Sequence, residues 1–202
     1  MVAREVLEPF AHDAAHRKET SAFRSTWLAS SLRTLRQREL VEKYRTYLAP
    51  KYHPTILESV ALQWLPIDVA VAHYGAMDRL CLPTATAFAM GNEIQSHAQS
   101  LVAQVAVRMS REVGVTPWTI FGQVRKLWDR TWRGGDLQVS KMGPKEAEVD
   151  IAGWTVASST YVRHSMRGVL EGIAAPFCTR VYARELPERS GGTSLAFRIA
   201  WV

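Results

Sequence analysis

The sequence predicts an α+β fold, with an N-terminal helical part packed on a C-terminal four-stranded antiparallel sheet. Two observations predict it. Through residue 135, apolar residues recur with the period of an amphipathic helix. From residue 136 onward, strand patterns and one further helical pattern follow in the order β-β-α-β-β. We therefore expect residues 1–20 to be a loosely ordered or short helical lead-in and residues 21–202 to form a single domain, helical over 21–135 and β-β-α-β-β over 136–202.

The first helix is predicted from an apolar stripe at i, i+4 and i+7 spacing, and later helices are delimited by proline and glycine. Pro66 suits the first turn of a helix, where its missing N–H has no partner anyway. Gly114 is a plausible helix end, Thr116-Pro117 restarts a helix, and Gly134-Gly135 stops it. The expected helices cover roughly residues 21–35, 41–48, 56–60, 67–80, 84–113 and 117–132.

The C-terminal strands are predicted from alternation. Two strands flank a turn at Gly143-Pro144, which is a hairpin signal. A helix over 158–174 follows and ends before Pro176. A third strand begins at Val181 and a fourth runs to Trp201, in which apolar residues alternate strictly with the rest. These segments supply the predicted four-stranded sheet and its crossing helix.

Composition limits the class of protein. The chain has 202 residues, a hydrophobic fraction of 47%, a charged fraction of 22% and a net charge of +6, which is ordinary for a globular domain. Cys81 and Cys178 are far apart in sequence and suit a reducing compartment. The first residues do not resemble a signal peptide, and no run approaches the roughly 20 apolar residues of a membrane span. We expect a cytoplasmic protein.

Several short motifs along residues 20–202 mark turns and packing positions. They are Phe23-Arg24-Ser25-Thr26-Trp27-Leu28, Gln63-Trp64-Leu65-Pro66, Met90-Gly91, Trp132-Arg133-Gly134-Gly135-Asp136-Leu137-Gln138-Val139, Met142-Gly143-Pro144-Lys145-Glu146-Ala147, Tyr161, Gly168 and Gly172. With this layout the chain resembles an uncharacterised domain family frequent in delta-proteobacteria. That family in turn resembles the group of 4-vinyl reductase domains, heme–nitric-oxide-binding domains and TRAPP vesicle-tethering subunits. The resemblance implies a ligand-sensing or protein-interaction module and brings no reaction with it.

The resemblance makes His97 a candidate heme ligand. Heme–nitric-oxide-binding domains use a helical histidine as the proximal iron ligand, and a neutral imidazole on an apolar face suits that role. Those domains also carry a Tyr-x-Ser-x-Arg motif, whereas the nearest text here is Tyr161-Val162-Arg163-His164-Ser165, which breaks the spacing. Without that second anchor, a hydrogen-bonded core histidine is the favoured interpretation of His97, and heme remains the alternative cofactor.

Aromatic and apolar residues supply the candidates for an apolar ligand pocket. Trp128 and Trp132 lie one helical turn apart beside a glycine pair, and aromatic side chains line pockets for flat ligands. Met90 and Ile94 share the helical phase of His97, and Tyr161 belongs to the stripe of the last helix. For any single tryptophan, ordinary core packing is the competing interpretation.

Charged residues supply weaker candidates. Arg163 and Arg167 lie one turn apart on the last helix and would suit an anion such as phosphate or carboxylate, although solvated arginines are the ordinary alternative. Glu146, Glu148 and Asp150 share one strand face by period 2 and are expected to face solvent rather than to form an acid–base pair. His12 and His16 are expected to be two solvated histidines rather than a metal site.

The sequence thus predicts a non-enzymatic module that binds or senses a small apolar ligand between the helices and the sheet. A protein-interaction scaffold, as a homodimer through exposed helices, is the competing class. Nucleic-acid binding is disfavoured, because no helix-turn-helix is evident and the aromatic residues are in phase with the core rather than interleaved with the arginines. No catalytic residue and no metal site are predicted.

Overall fold

The computed structural model of the protein describes residues 5–58, 62–98 and 116–202, with residues 97 and 98 described by their backbone alone. The helices are α1 (Ser25–Gln37), α2 (Val41–Tyr47), α3 (His53–Leu57), α4 (Ile67–Arg79), α5 (Thr84–Ala98), α6 (Pro117–Phe121), α7 (Val124–Thr131) and α8 (Thr160–Ala174). The strands are β1 (Glu5–Glu8), β2 (Ala22–Arg24), β3 (Trp64–Pro66), β4 (Trp132–Arg133), β5 (Asp136–Gly143), β6 (Glu146–Ala152), β7 (Val181–Glu185) and β8 (Ser194–Trp201).

The main sheet is antiparallel and has the strand order β1-β5-β6-β8-β7. The predicted β-β-α-β-β order is confirmed, but the sheet has five strands and the prediction of four is wrong. The additional strand is β1, which comes from the expected lead-in and pairs with β5. Its residues show no alternation of apolar and polar side chains, because neither face of this edge strand is buried against a core. Sequence periodicity therefore had no signal to detect there.

A second, three-stranded sheet of order β3-β2-β4 was not predicted. Its strands are two or three residues long, which is too short for any periodicity to appear. Because residues 22–24 form β2, α1 begins at Ser25 and not near residue 21 as predicted. Phe23 on β2 pairs with Leu65 on one side and Trp132 on the other, and its side chain is buried. This small sheet joins the helical part to the chain that enters β5.

The helical predictions hold for α1, α2, α4 and the start of α5. The helix expected from residue 117 to 132 is interrupted at Gly122 and Gln123, and it becomes α6 and α7. The part of the expected helix after Ala98, and its end at Gly114, lie outside the described residues. So does Val60, which was assigned to the helix at 56–60.

Helix α8 carries the packing between the two parts of the molecule. Its apolar face joins the core that also contains the inward side chains of β5, β6 and β8, while α5 packs across it. Gly91 of α5 makes this crossing close, because a Cβ there would overlap the carbonyl oxygen of Ser165. Ser159 caps α8, since its Oγ accepts a hydrogen bond from the amide of Val162 at 3.2 Å. Among the helices of residues 5–58, 62–98 and 116–202, none combines the length and apolar character that a bilayer crossing requires.

Candidate functional site

A cluster of indole rings lies where the helices meet the main sheet. Trp128 stacks on Trp132 with ring centroids 5.9 Å apart, and Trp154 meets both rings edge-on at 5.5 and 5.3 Å. Phe23 extends the stack, 5.7 Å from Trp132. We call these four residues the tryptophan cluster. It contains both tryptophans predicted to line a pocket, together with Trp154, which the sequence did not single out.

The polar edges of the tryptophan cluster differ in their hydrogen bonding. Trp128 donates its Nε1–H to the carbonyl oxygen of Gly134 at 3.1 Å. Trp154 is 1% exposed, and its Nε1 has no hydrogen-bond partner among the described residues. A buried donor without an acceptor costs free energy on the order of 1–3 kcal/mol. The Trp154 N–H is therefore a buried donor that the described residues leave without an acceptor.

A segment of the N-terminal chain crosses beside this cluster. The amide of Gly135 donates to the carbonyl of Lys18, and the amide of Thr20 donates to the carbonyl of Gly153, both at 2.8 Å. Gly135 has φ +65, and a Cβ there would lie 2.9 Å from both the Thr20 methyl and the Trp128 ring. Only glycine fits such a position. The glycine pair predicted to stop a helix thus also seats the N-terminal chain on the tryptophan cluster.

The other predicted pocket residues lie in the helical layer. Met90, Ile94 and Tyr161 are buried, and Tyr161 stacks on Tyr74 with centroids 6.2 Å apart. Tyr161 shares no ring contact with the tryptophan cluster, so the aromatic candidates fall into two separate stacks. Burial raises the pKa of the Tyr161 hydroxyl.

A buried histidine that sequence reasoning did not select lies in this layer. His73 is held through both ring nitrogens, Nε2 by the Ser31 hydroxyl at 2.9 Å and Nδ1 by the Tyr44 hydroxyl at 2.7 Å. Burial lowers the pKa of His73 to about 3, so the ring is neutral near pH 7. The sequence signal that could have selected it is its helical spacing from Ala70 and Met77 on the apolar face of α4.

The two arginines proposed for anion binding have protein partners. Arg163 donates to Glu185 Oε1 at 2.6 Å, to the Gly191 carbonyl at 2.9 Å and to the Ala157 carbonyl at 3.1 Å. Arg167 donates from Nε to the carbonyl of Ala183 at 3.1 Å. Both side chains therefore connect α8 to β7 and its neighbouring loops. An anion at Arg163 would have to displace Glu185.

Glu148, one of the three carboxylates expected to face solvent, is buried, which corrects that expectation. Glu148 is 2% exposed and is ion-paired with Arg189 and Arg198. Burial raises its pKa, but the hydrogen bonds from Arg198 and Arg189 outweigh that effect, and the net pKa lies below the ordinary value. Period 2 correctly put Glu148 on the face opposite Val149. It could not show that arginines from β8 and from the loop before it cover that face.

Asp136 anchors the N-terminal chain. Its carboxylate accepts hydrogen bonds from the amides of Ala11 at 3.1 Å and His12 at 2.9 Å, and from Arg125 at 2.8 Å. Burial raises the pKa of Asp136, and these donors outweigh it, so the net pKa is lowered. The arrangement is a structural clamp, because every oxygen is already directed at a backbone or guanidinium donor.

Two cavities accompany these groups. One, of about 50 Å³, opens between α4, α5 and α8 and is lined by Met77, Asp78, Cys81, Tyr161 and His164 among others. The other, of about 390 Å³, is a shallow depression over the sheet, bordered by Phe10, Gln138, Asp150, Arg189 and Ser194. Of the predicted pocket residues, Tyr161 lines the smaller cavity. Trp128 and Trp132 pack against each other in the core.

Comparison with solved structures identifies the architecture. A likeness covering 89% of this chain and 96% of the other was found with Fe(II) unliganded H-NOX from K. algicida, at a TM-score of 0.60 and 9% identity. The chain has the H-NOX fold. A variant of H-NOX from T. tengcongensis matches with a TM-score of 0.52 and 14% identity over 88% of this chain and 97% of the other. A third structure, from work on heme redox potential and protein-induced porphyrin distortion, matches with a TM-score of 0.55 and 13% identity. The match covers 88% of this chain and 99% of the other. No family model and no curated protein sequence matches the chain.

Among the described residues, the histidines at 53, 73 and 164 contact protein groups. His73 has both nitrogens engaged, and His53 bonds the Leu48 carbonyl through Nε2 at 3.0 Å. His164 contacts Thr84 beside the 50 Å³ cavity, which is far smaller than a porphyrin. The sequence has no histidine between His97 and His164, and the His97 side chain lies outside the described residues. Arg163 and Arg167, the arginines nearest the broken motif, are bonded to the protein.

Proposed function

We propose that this chain is a small-molecule-binding or sensing module without catalytic activity, and that its ligand is a flat apolar molecule held between the helices and the sheet. The observation that carries the proposal is the H-NOX fold, which extends over nearly the whole chain at a low sequence identity. Proteins with this fold bind heme in the structures compared. The same architecture, with other side chains in its interior, supports binding of another flat ligand.

The chemistry of the tryptophan cluster supports this assignment. Trp128, Trp132 and Trp154 are buried and pack on one another, so a flat apolar ligand would bind their aromatic faces by separating these rings. The Nε1–H of Trp154 supplies one hydrogen-bond donor. The ligand we propose is therefore largely apolar and carries one oxygen acceptor. Thr20 and Trp128 both lie beside Gly135, and the proposed ligand enters by displacing the N-terminal chain at Thr20.

Native mass spectrometry of the purified chain tests this proposal. We expect a retained species of small-molecule mass, and a Trp132→Ala variant that folds but loses it. The matched control is Trp118→Ala, since Trp118 belongs to a different aromatic group with Phe121 and Trp201. Retention that is lost equally in both variants, or a chain that retains nothing and takes up no aromatic compound, would contradict the proposal.

Heme is the alternative ligand, and the fold is the observation that favours it. The test is addition of hemin to the purified protein and to a His97→Ala variant. A Soret band that requires His97 would establish heme binding and replace the apolar-ligand proposal. Absence of a Soret band in both proteins would eliminate heme.

A protein-interaction scaffold is the second candidate function. Strand β1 is an edge of the main sheet, and it exposes the side chains of Val6 and Leu7. A free edge with apolar side chains favours strand-to-strand pairing with another chain. The same native spectra report the subunit count, and a dimer abolished by Val6→Lys would favour the scaffold.

A further inference from the structure

The outer face of the three-stranded sheet gathers an unusual set of side chains. Arg24 and Trp64 are direct partners across β2 and β3, and Arg133 pairs with Ala22 across β2 and β4. Since Ala22 and Arg24 are two residues apart, all of these side chains share one face. Phe23 points to the opposite, buried face. Ala22 is small, so Arg133 can extend across it towards Trp64.

Both arginines contact one indole ring. The guanidinium carbon of Arg24 lies 4.2 Å from the centroid of the Trp64 ring, and that of Arg133 lies 4.4 Å from it. Neither arginine has a carboxylate partner within the part of the chain that the structure describes. Among the residues that the structure describes, no acid balances these two like charges on one ring, and the net charge of the chain is +6. Such an arrangement is complementary to negatively charged groups.

An exposed apolar side chain adjoins these charges. Leu62 is 73% exposed and has φ +71, a conformation that costs free energy in a residue with a branched side chain. Arg24 donates a hydrogen bond to the Leu62 carbonyl at 3.0 Å, which holds this backbone in place. Pro66, at the other end of β3, is exposed as well. Leucine directed into water next to a tryptophan and two arginines is the composition of a membrane-interface contact.

We propose that this face, defined by Arg24, Leu62, Trp64 and Arg133, docks on the surface of an anionic lipid bilayer. Arg24 and Arg133 contact the phosphate headgroups, Trp64 lies at headgroup depth, and Leu62 enters the acyl boundary. The exposed leucine favours a bilayer over nucleic acid as the partner. The Trp64 ring is already contacted by two guanidinium groups, which leaves it poorly available for stacking on bases. This docking is independent of the ligand proposed for the tryptophan cluster.

Sedimentation with lipid vesicles tests the docking surface. The full chain is mixed with phosphatidylcholine vesicles, with or without phosphatidylglycerol, at low and physiological salt. We expect binding only to the anionic vesicles, weakened by salt. The double variant Arg24→Gln, Arg133→Gln should lower partitioning by roughly five- to thirtyfold, since each arginine near an anionic surface contributes about a fivefold effect.

Matched variants separate this face from net charge and from misfolding. Arg45→Gln with Arg180→Gln removes the same charge from exposed positions elsewhere and should change partitioning by less than about twofold. Leu62→Asn introduces a residue that tolerates positive φ and should weaken binding without lowering the thermal midpoint.

Four outcomes overturn the proposal. They are equal binding to neutral vesicles, an equal loss in the Arg45 and Arg180 pair, and displacement by inorganic phosphate at millimolar concentration, which would identify a free-anion site instead. The fourth is a single-stranded oligonucleotide that binds through Arg24 and Arg133 while vesicles do not.

Discussion

Nε2 of His73 lies 2.9 Å from Oγ of Ser31, in a buried part of the helical layer where Tyr44 occupies the other ring nitrogen. Neither hydroxyl can balance a positive charge on the ring, so the folded protein holds His73 neutral, with a pKa of about 3. An unfolded chain binds a proton at this residue with a pKa near 6.5. The Ser31–His73 pair therefore couples folding to pH.

This coupling predicts an acid-sensitive stability. Because the folded pKa of His73 is depressed, the unfolded state binds more protons below about pH 6.5, and stability falls as the pH decreases from there towards 3. Between pH 6.5 and 5, the contribution approaches about 1.4 kcal/mol per pH unit. Urea unfolding across this range measures it. His73→Gln should flatten the slope, and an unchanged slope in this variant would disprove the assignment.

The close crossing of α5 and α8 predicts opposite effects for two glycines. Gly91→Ala places a Cβ into the Ser165 carbonyl and should lower the free energy of unfolding by at least about 2 kcal/mol. Gly75→Ala, in helix α4 with nothing near its added Cβ, should raise it by about 0.5–1 kcal/mol. Thermal unfolding of both variants checks the prediction. Similar changes in the two would mean that α5 and α8 do not cross this closely.

The Asp136 clamp predicts local loosening of the N-terminal chain. Asp136→Asn removes the negative charge that Arg125 and the amides of Ala11 and His12 share, and we expect a loss of roughly 2–4 kcal/mol in unfolding free energy. Hydrogen exchange at Ala11 and His12 should accelerate before that of β6. The exposed Asp129→Asn is the control. Unchanged protection at these amides would show that the carboxylate does not hold the segment.

The contacts of Arg163 predict a structural role. Arg163→Gln removes the ion pair with Glu185 and two carbonyl contacts, so it should lower stability by about 1–3 kcal/mol. Inorganic phosphate should not stabilise the parent protein through this residue, and a thermal shift series with phosphate measures that. A phosphate-dependent shift that disappears in Arg163→Gln would restore the anion-binding interpretation.

Sequence periodicity predicted the parts of the fold in which one face is buried. Strand β8 alternates strictly because Leu195, Phe197 and Ile199 face the core, and α8 shows a helical stripe for the same reason. Strand β1 gave no signal because it is an exposed edge, and β2, β3 and β4 gave none because they are too short. The missing information was cross-strand pairing between segments that are distant in sequence, β1 with β5 and β2 with β3 and β4, which no local pattern contains.

The candidate site divides in the same way. Trp128 and Trp132 were selected from their helical spacing and lie together, but Trp154 joins them from the loop after β6, which spacing could not reveal. Arg163 and Arg167 were paired by helical spacing alone, and their partners on and near β7 are set by tertiary structure. Glu148 was expected to face solvent, because a strand pattern cannot show that Arg189, from the loop before β8, covers it. The period of a helix or strand predicts which face of that element a side chain lies on. It does not predict which other residues cover that face.

The most direct test of the account is the two-dimensional ¹H–¹⁵N spectrum of the seven indole N–H groups, recorded as 1-naphthol, a flat molecule with one oxygen, is added. We predict a downfield shift of the Trp154 Nε1–H as it gains an acceptor, while that of Trp118, already bonded to the Pro144 carbonyl at 2.9 Å, stays in place. A Trp154 resonance that does not move at saturating probe, or a shift confined to Trp118 and Trp201, would contradict a ligand site at the tryptophan cluster.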